Sequence, residues 1–138
     1  MDYSKEELLA AGNKIRKNTL IETLGIEFVD ILEDGVVARM PVNAKVHQQD
    51  GVLHGGASVA LAETVGSFAA ICLFGPEVSI RGIEISANHV KAVREGYVYA
   101  KAKMIHKGRT IQLWQIRIEN EQEELVSMVK LTTIILKK

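Results

Sequence analysis

The sequence predicts an α+β fold in which one long buried helix packs on an antiparallel sheet of about six strands. Three observations lead there. From Val52 to Gly75 the chain reads VLHGGASVALAETVGSFAAICLFG, small and apolar for roughly five helical turns. After Gly75-Pro76 the hydrophobic period changes to two, as in strands. Turn-forming clusters at Glu33-Asp34-Gly35, Arg94-Glu95-Gly96, Lys107-Gly108-Arg109 and Asn120 to Glu123 divide the flanking segments into hairpins.

The elements follow in order. Ser4 can cap a helix with Glu6 and Glu7 in its first turn, so residues 4–20 read as one or two short helices with Leu8, Leu9 and Leu20 as apolar anchors. Gly25 marks a break. Ile26 to Leu32 and Val36 to Val42 read as the first two strands, and a polar loop over 43–52 leads into the long helix. Val78 to Val93 is a long alternating segment, with Ile83, Ile85 and Ala87 on one side and Glu84, Ser86 and Asn88 on the other. Tyr97 to His106, Thr110 to Glu119 and Leu125 to Leu136 complete the strands, with Trp114, Ile116 and Ile118 sharing a face. No repeat, linker or low-complexity tract interrupts 1–138, which reads as a single domain.

Composition narrows the function classes. A hydrophobic share of 47% in 138 residues supports a proper core and excludes disorder. A net charge of zero gives no electrostatic support for nucleic-acid or membrane-surface binding. The lone cysteine, Cys72, forms no intrachain disulfide and suits a reducing, cytoplasmic compartment. The start, MDYSKEELLAAGNK, is too acidic and polar for a signal peptide. The run around Glu63 is broken by Glu, Thr, Ser and Gly, and so is expected to fall short of a membrane span.

Glu63 is the only carboxylate between Asp50 and Glu77. A lone carboxylate on a buried helix is paired, hydrogen-bonded, protonated or working, unless it simply lies on an exposed edge. On a helical wheel Gly56, Ala60, Ser67 and Ala70 fall within about 60° of it, and Leu61, Val65, Phe68 and Cys72 fall opposite. The bulky face is expected to pack on the sheet, leaving space beside the carboxylate. Gly55 and Gly56 sit where the first backbone N–H groups of the helix lack intrahelical acceptors. Such donors, with the helix dipole, stabilise a developing negative oxygen, although His-Gly-Gly is also an ordinary tight entry turn. Eight residues separate Gly55 from Glu63, roughly 12 Å along the axis. If both serve one carbonyl, two antiparallel helices must meet across a two-fold axis, and the protein is a dimer.

The segment LHGGASVALAETVGS, with GIEISANHV, Val93-Arg94-Glu95-Gly96, Leu113–Ile116 and the ending LTTIIL, resembles the hotdog-fold acyl-CoA thioesterases of the PaaI-like branch. Within that branch the chain is similar to bacterial 1,4-dihydroxy-2-naphthoyl-CoA thioesterases of the menaquinone pathway, with the enterobactin proofreading thioesterases as near relatives. The resemblance implies a hotdog fold, a curved antiparallel sheet wrapped round the central helix, in dimers that pair into homotetramers. It implies Glu63 as nucleophile or general base, Gly55 as the N–H that polarises the thioester carbonyl, and Gln48 and His54 as groups that hold the thioester. Ser67 and Thr64, the latter often Ser in the family, would support the carboxylate or its water. Coenzyme A contacts would fall at Gly82, at His89, Val90, Lys91 and Ala92, and on the turn His106, Lys107, Gly108, Arg109, Thr110 and Ile111. Coenzyme A is then part of the substrate, with no separate cofactor and no metal.

Elementary chemistry agrees with this. A thiolate is a fairly good leaving group, so a carboxylate and an oxyanion site suffice without a Ser-His-Asp triad. His47, His54, His89 and His106 lack metal-ligand spacing. Lys91, Arg94, Lys107 and Arg109 are either a patch for the coenzyme A phosphates or ordinary solvated turn charges. His89 shares parity with Ile83, Ile85 and Ala87, so strict alternation buries it and a bulge or strand end would free it. A hotdog hydratase would need Pro-rich turns before the helix, and the only prolines are Pro41 and Pro76. A non-catalytic acyl-binding domain would not need Glu63.

Overall fold

The hydrophobic periods set the architecture of the computed structural model, which describes residues 3–137. Helices α1 (Lys5–Lys14) and α2 (Leu20–Leu24) precede a hairpin of β1 (Glu27–Leu32) and β2 (Gly35–Val42). A single 3-10 turn, Ala44–Val46, leads to α3 (Gly55–Phe74), which is followed by β3 (Val78–His89), β4 (Gly96–Lys107), β5 (Ile111–Glu119) and β6 (Leu125–Lys137). All neighbouring strands are antiparallel, in the order β1-β2-β4-β5-β6-β3.

One face of this sheet carries the core. Leu61, Val65 and Phe68 of α3 are buried, as the wheel predicts, among inward-facing residues such as Ala38, Ala100, Ala102, Ile116 and Leu131. Alanines on β2 and β4 let the helix lie close to the sheet. A Cβ added at Gly66 would stand 2.5 Å from Leu131 Cδ2 and 3.4 Å from Ile116 Cδ1, so the helix is already in contact there. Polar groups within the core are linked in a chain. Trp114 Nε1 donates to Thr133 Oγ1 at 2.9 Å, and Thr133 Oγ1 donates to Gln112 Oε1 at 2.9 Å.

The N-terminal helices close one sheet edge. Ser4 forms a full capping box with Glu7 on α1, and Gly25 ends α2 at φ 72°, a conformation that glycine adopts without a Cβ clash. The Asn13 side chain donates to Phe28 O and accepts from Phe28 N–H, both at 2.9 Å. A helix side chain thus stands in for a neighbouring strand on β1. At the opposite edge no strand among the described residues pairs with the outer side of β3.

Five expectations need correction. The register of β3 against β6 slips between Gly82 and Glu84, so Ile83 is a bulge residue. It is 52% exposed and does not share the inner side with Ile85 and Ala87, which pack on the core. The strand predicted to reach Val93 stops at His89, because Val90 and Lys91 turn both their N–H groups to Val126 O. Ala70, predicted on the open side of the helix, is fully buried, since β3 packs along that flank. Leu20 is 62% exposed and is not part of the core. Finally, α3 is by length and composition apolar enough to cross a membrane, contrary to the expectation from its interruptions. Eight of its residues are buried in the fold, which accounts for that hydropathy.

Candidate active site

The start of α3 is built around one unoccupied donor. His54 is the N-cap, and its Nδ1 accepts from the Gly56 N–H at 2.7 Å. The N–H groups of Ala57 and Ser58 both reach His54 O. Among the first four residues of the helix, Gly55 alone has an N–H with no partner among the described residues. Both glycines are required by space. A Cβ at Gly56 would stand 2.9 Å from the His54 ring, and one at Gly55 would stand 2.8 Å from His89 Cδ2 and Nε2. The His89 ring is held by a 2.7 Å hydrogen bond between its Nδ1 and Ser127 Oγ, and Ser127 is fully buried. The strand end that frees His89 therefore aims its Nε2 at the helix terminus.

A cavity of about 350 Å³ opens here, lined by Gln48, Gly55, His89, Val90, Lys91 and Ala92 among others. Six residues singled out from the sequence thus meet in one place. Gln48 Nε2 donates to Asp50 Oδ1 at 3.0 Å, and Lys91 Nζ lies 3.5 Å from Glu124 Oε2. Both polar groups are exposed and already have partners, so a ligand would compete for them.

Glu63 occupies a different cavity, of about 330 Å³. Its walls are Ala60, Thr64, Ser67, Phe68 and Ile71 of α3, closed by Ile15, Leu20, Ile21 and Phe28. The Phe28 and Phe68 rings stack at 4.0 Å on one side. Half-buried Glu63 has no hydrogen-bond partner among the described residues, and Ser67 has none through its side chain. Thr64 Oγ1 donates to Ala60 O at 2.7 Å, so its proton is committed to the helix and only its lone pairs face outward. Gly82, expected among coenzyme A contacts, lies against Glu63: a Cβ there would overlap Glu63 Oε2.

The turn from His106 to Ile111 is at the far end of α3. Lys107 Nζ stands 5.6 Å from the centroid of the Phe74 ring, and the turn is closed by Gly108 N–H to Ile111 O at 2.9 Å. Phe74 is 19 residues from Gly55, about 28 Å along the helix. One chain therefore does not bring this turn to the cavity at Gly55. Arg109 is exposed and makes no ion pair among the described residues. No cluster of three or more His, Cys, Asp or Glu side chains able to hold a metal comes together among the described residues.

Known proteins share this fold. Residues 50–127, which include both cavities' helix, match the Thioesterase superfamily. The 1,4-dihydroxy-2-naphthoyl-CoA hydrolase of Escherichia coli is 40% identical over 136 residues, covering 99% of this chain and all of its own length. The proofreading thioesterase EntH of Cronobacter turicensis is 40% identical over 99% of both chains. The crystal structure of a thioesterase from Haemophilus influenzae superposes with a TM-score of 0.90 at 40% identity, over 99% of this chain and 93% of that one. A six-stranded antiparallel sheet round one long helix, with relatives of this similarity along the whole chain, makes this protein a thioester hydrolase of the hotdog-fold thioesterase superfamily.

Proposed function

We propose that the protein hydrolyses an acyl-CoA thioester, with an aryl-CoA such as 1,4-dihydroxy-2-naphthoyl-CoA as the preferred substrate. Two observations carry this: a Gly55 N–H with no partner among the described residues, and a half-buried carboxylate, Glu63, that faces an apolar cavity. The acyl group enters that cavity, where the stacked Phe28 and Phe68 rings offer an aromatic wall. The thioester carbonyl oxygen takes the Gly55 N–H, at the positive end of the helix. Glu63 either attacks the carbonyl carbon or takes a proton from the attacking water. In the first route an acyl–Glu63 anhydride forms as the C–S bond breaks, and water then hydrolyses it to the free acid. In the second the water oxygen bonds the carbonyl carbon and the C–S bond breaks. In both the thiolate leaves and takes up a proton. Gln48 and His54 hold the thioester, while the lone pairs of Thr64 and the hydroxyl of Ser67 orient the water.

Because Gly55 and Glu63 lie about 12 Å apart along one helix, each site takes Glu63 from one chain and Gly55 from another. The unpaired edge of β3 offers the surface for such a dimer, and two dimers form the tetramer. The pantetheine arm leaves past His89 to Ala92. A coenzyme A substrate and a single free thiol, Cys72, fit a cytoplasmic setting.

A second substrate reading has its own support. A cavity of about 420 Å³ on α1 and the end of α3 shares Ile15, Phe68 and Ile71 with the cavity at Glu63. Together they would house a fatty acyl chain. A kinetic panel of aryl-CoA, fatty acyl-CoA and aryl carrier-protein thioesters, read by thiol release, decides among these. The highest kcat/KM is expected for aryl-CoA. A preference for long-chain acyl-CoA would favour the extended groove, and no thiol release from any of them would refute the hydrolase assignment.

A further inference from the structure

We infer that Gly82 is a positioning residue for the Glu63 carboxylate, which occupies the space where any other residue would place its Cβ. This rests on Glu63 being the catalytic carboxylate. Gly82 lies on the inner side of β3, in line with Ile80, which packs on the core. There β3 crosses the middle of α3. A Cβ built on Gly82 overlaps Glu63 Oε2, stands 3.2 Å from Glu63 Cδ, and stands 3.3 Å from Leu131 Cδ1. Leu131 is fully buried, so the carboxylate cannot be displaced in that direction.

The bulge belongs to the same device. Gly82 pairs with Thr133 and Glu84 with Thr132, leaving Ile83 as the extra residue. A bulge bends its strand and re-aims the neighbouring side chains. Here it ends the even-numbered inner series of Ile80 and Gly82 and starts the odd-numbered one of Ile85 and Ala87. Without it, the alternation would bring Glu84 towards the helix next. The seat is thus a glycine followed at once by a bulge, and it holds a carboxylate that has no hydrogen-bond partner among the described residues. Gly82 is not among the residues whose φ is positive, so an alanine backbone fits, and its Cβ would move the Glu63 carboxylate from its place.

The test is Gly82→Ala. A reacting group misplaced by about 1 Å loses on the order of 100-fold in rate, so kcat is expected to fall by about that factor. KM should change by the same small factor for a coenzyme A ester and for its truncated pantetheine thioester. Glu63→Asp withdraws the carboxylate by about 1.5 Å and makes room for the Cβ. The double variant Gly82→Ala with Glu63→Asp should therefore be more active than the product of the two single losses predicts. Losses that multiply, or a Gly82→Ala kcat within about two-fold of wild type, would overturn the inference. So would a KM increase confined to the coenzyme A ester, which would make Gly82 a nucleotide contact.

Stability gives a readout that does not depend on catalysis. If Gly82→Ala lowers the melting temperature or prevents folding, truncating Glu63 to alanine in the same chain removes the overlapping atoms and should restore it. Failure to restore it would place the clash on the backbone or Leu131 and refute the seat. Restored folding in a protein whose Glu63→Gln variant is fully active would keep the seat and refute the catalytic role of Glu63.

Discussion

Glu63→Gln subunits mixed with Gln48→Ala subunits are expected to recover activity that neither has alone. The geometry requires it if the site is shared. Eight residues of helix put Gly55 and Glu63 about 12 Å apart. The carboxylate lies against Gly82, in a cavity whose lining does not include Gly55. Gln48 lines the other cavity, with Gly55. In a mixed dimer one site receives wild-type Glu63 and wild-type Gln48, and the other takes both lesions. Random exchange makes half the dimers mixed, each with one intact site of two, so about a quarter of wild-type activity should return. The assay is thiol release after subunit exchange, with exchange verified by two affinity tags or by native mass spectrometry. No recovery in a verified mixture would place both residues in one chain's site or couple the two sites. A fully active monomer would refute sharing outright.

Two further outcomes follow from charges elsewhere on the molecule. Neutralising Lys107 and Arg109 together should raise KM for coenzyme A esters and leave a pantetheine thioester unaffected; equal effects on both would make them solvated turn charges. Burial pushes the pKa of Glu119 up, but hydrogen bonds from Lys101 and Arg117 outweigh it and hold the carboxyl below the usual Glu range. A carboxylate lowered in the folded state contributes stability that is present above its unfolded value of about 4.3 and lost as the pH falls through the folded value. The melting temperature of Glu119→Gln should therefore lie below wild type at about pH 7 and converge on it in acid, and a constant gap would contradict that assignment.

Much of this was legible in the sequence, for identifiable reasons. The period of α3 shows on a wheel, so Leu61, Val65 and Phe68 were placed correctly, and Gly55 was marked by its position in the first turn. Gln48, Gly55 and His89 to Ala92 were selected from separate segments, and they line one cavity. Parity failed where β3 departs from regular pleating. The bulge at Ile83 reverses the alternation, and no local residue pattern announces it. The coenzyme A role of Gly82 came from the resemblance alone, and parity did not show that Gly82 also lies beside Glu63. The capping bond of His54, the clamp of Asn13 on Phe28 and the chain of Trp114, Thr133 and Gln112 join residues across tertiary contacts. Such bonds depend on where elements come to lie, which periodicity leaves open. The turn from His106 to Ile111 was assigned to the same ligand as His89, but the helix length separates them within one chain.

The central claim is that Glu63 acts on the reacting carbonyl, and the kinetics of Glu63→Gln test it most directly. The amide keeps the size of the side chain and its place beside Gly82, so the fold and melting temperature should be retained. It can neither attack a thioester nor take a proton from water, so kcat for the preferred thioester should fall by on the order of 100-fold or more while KM stays within a few-fold of wild type. A folded Glu63→Gln protein with near wild-type kcat would contradict the account.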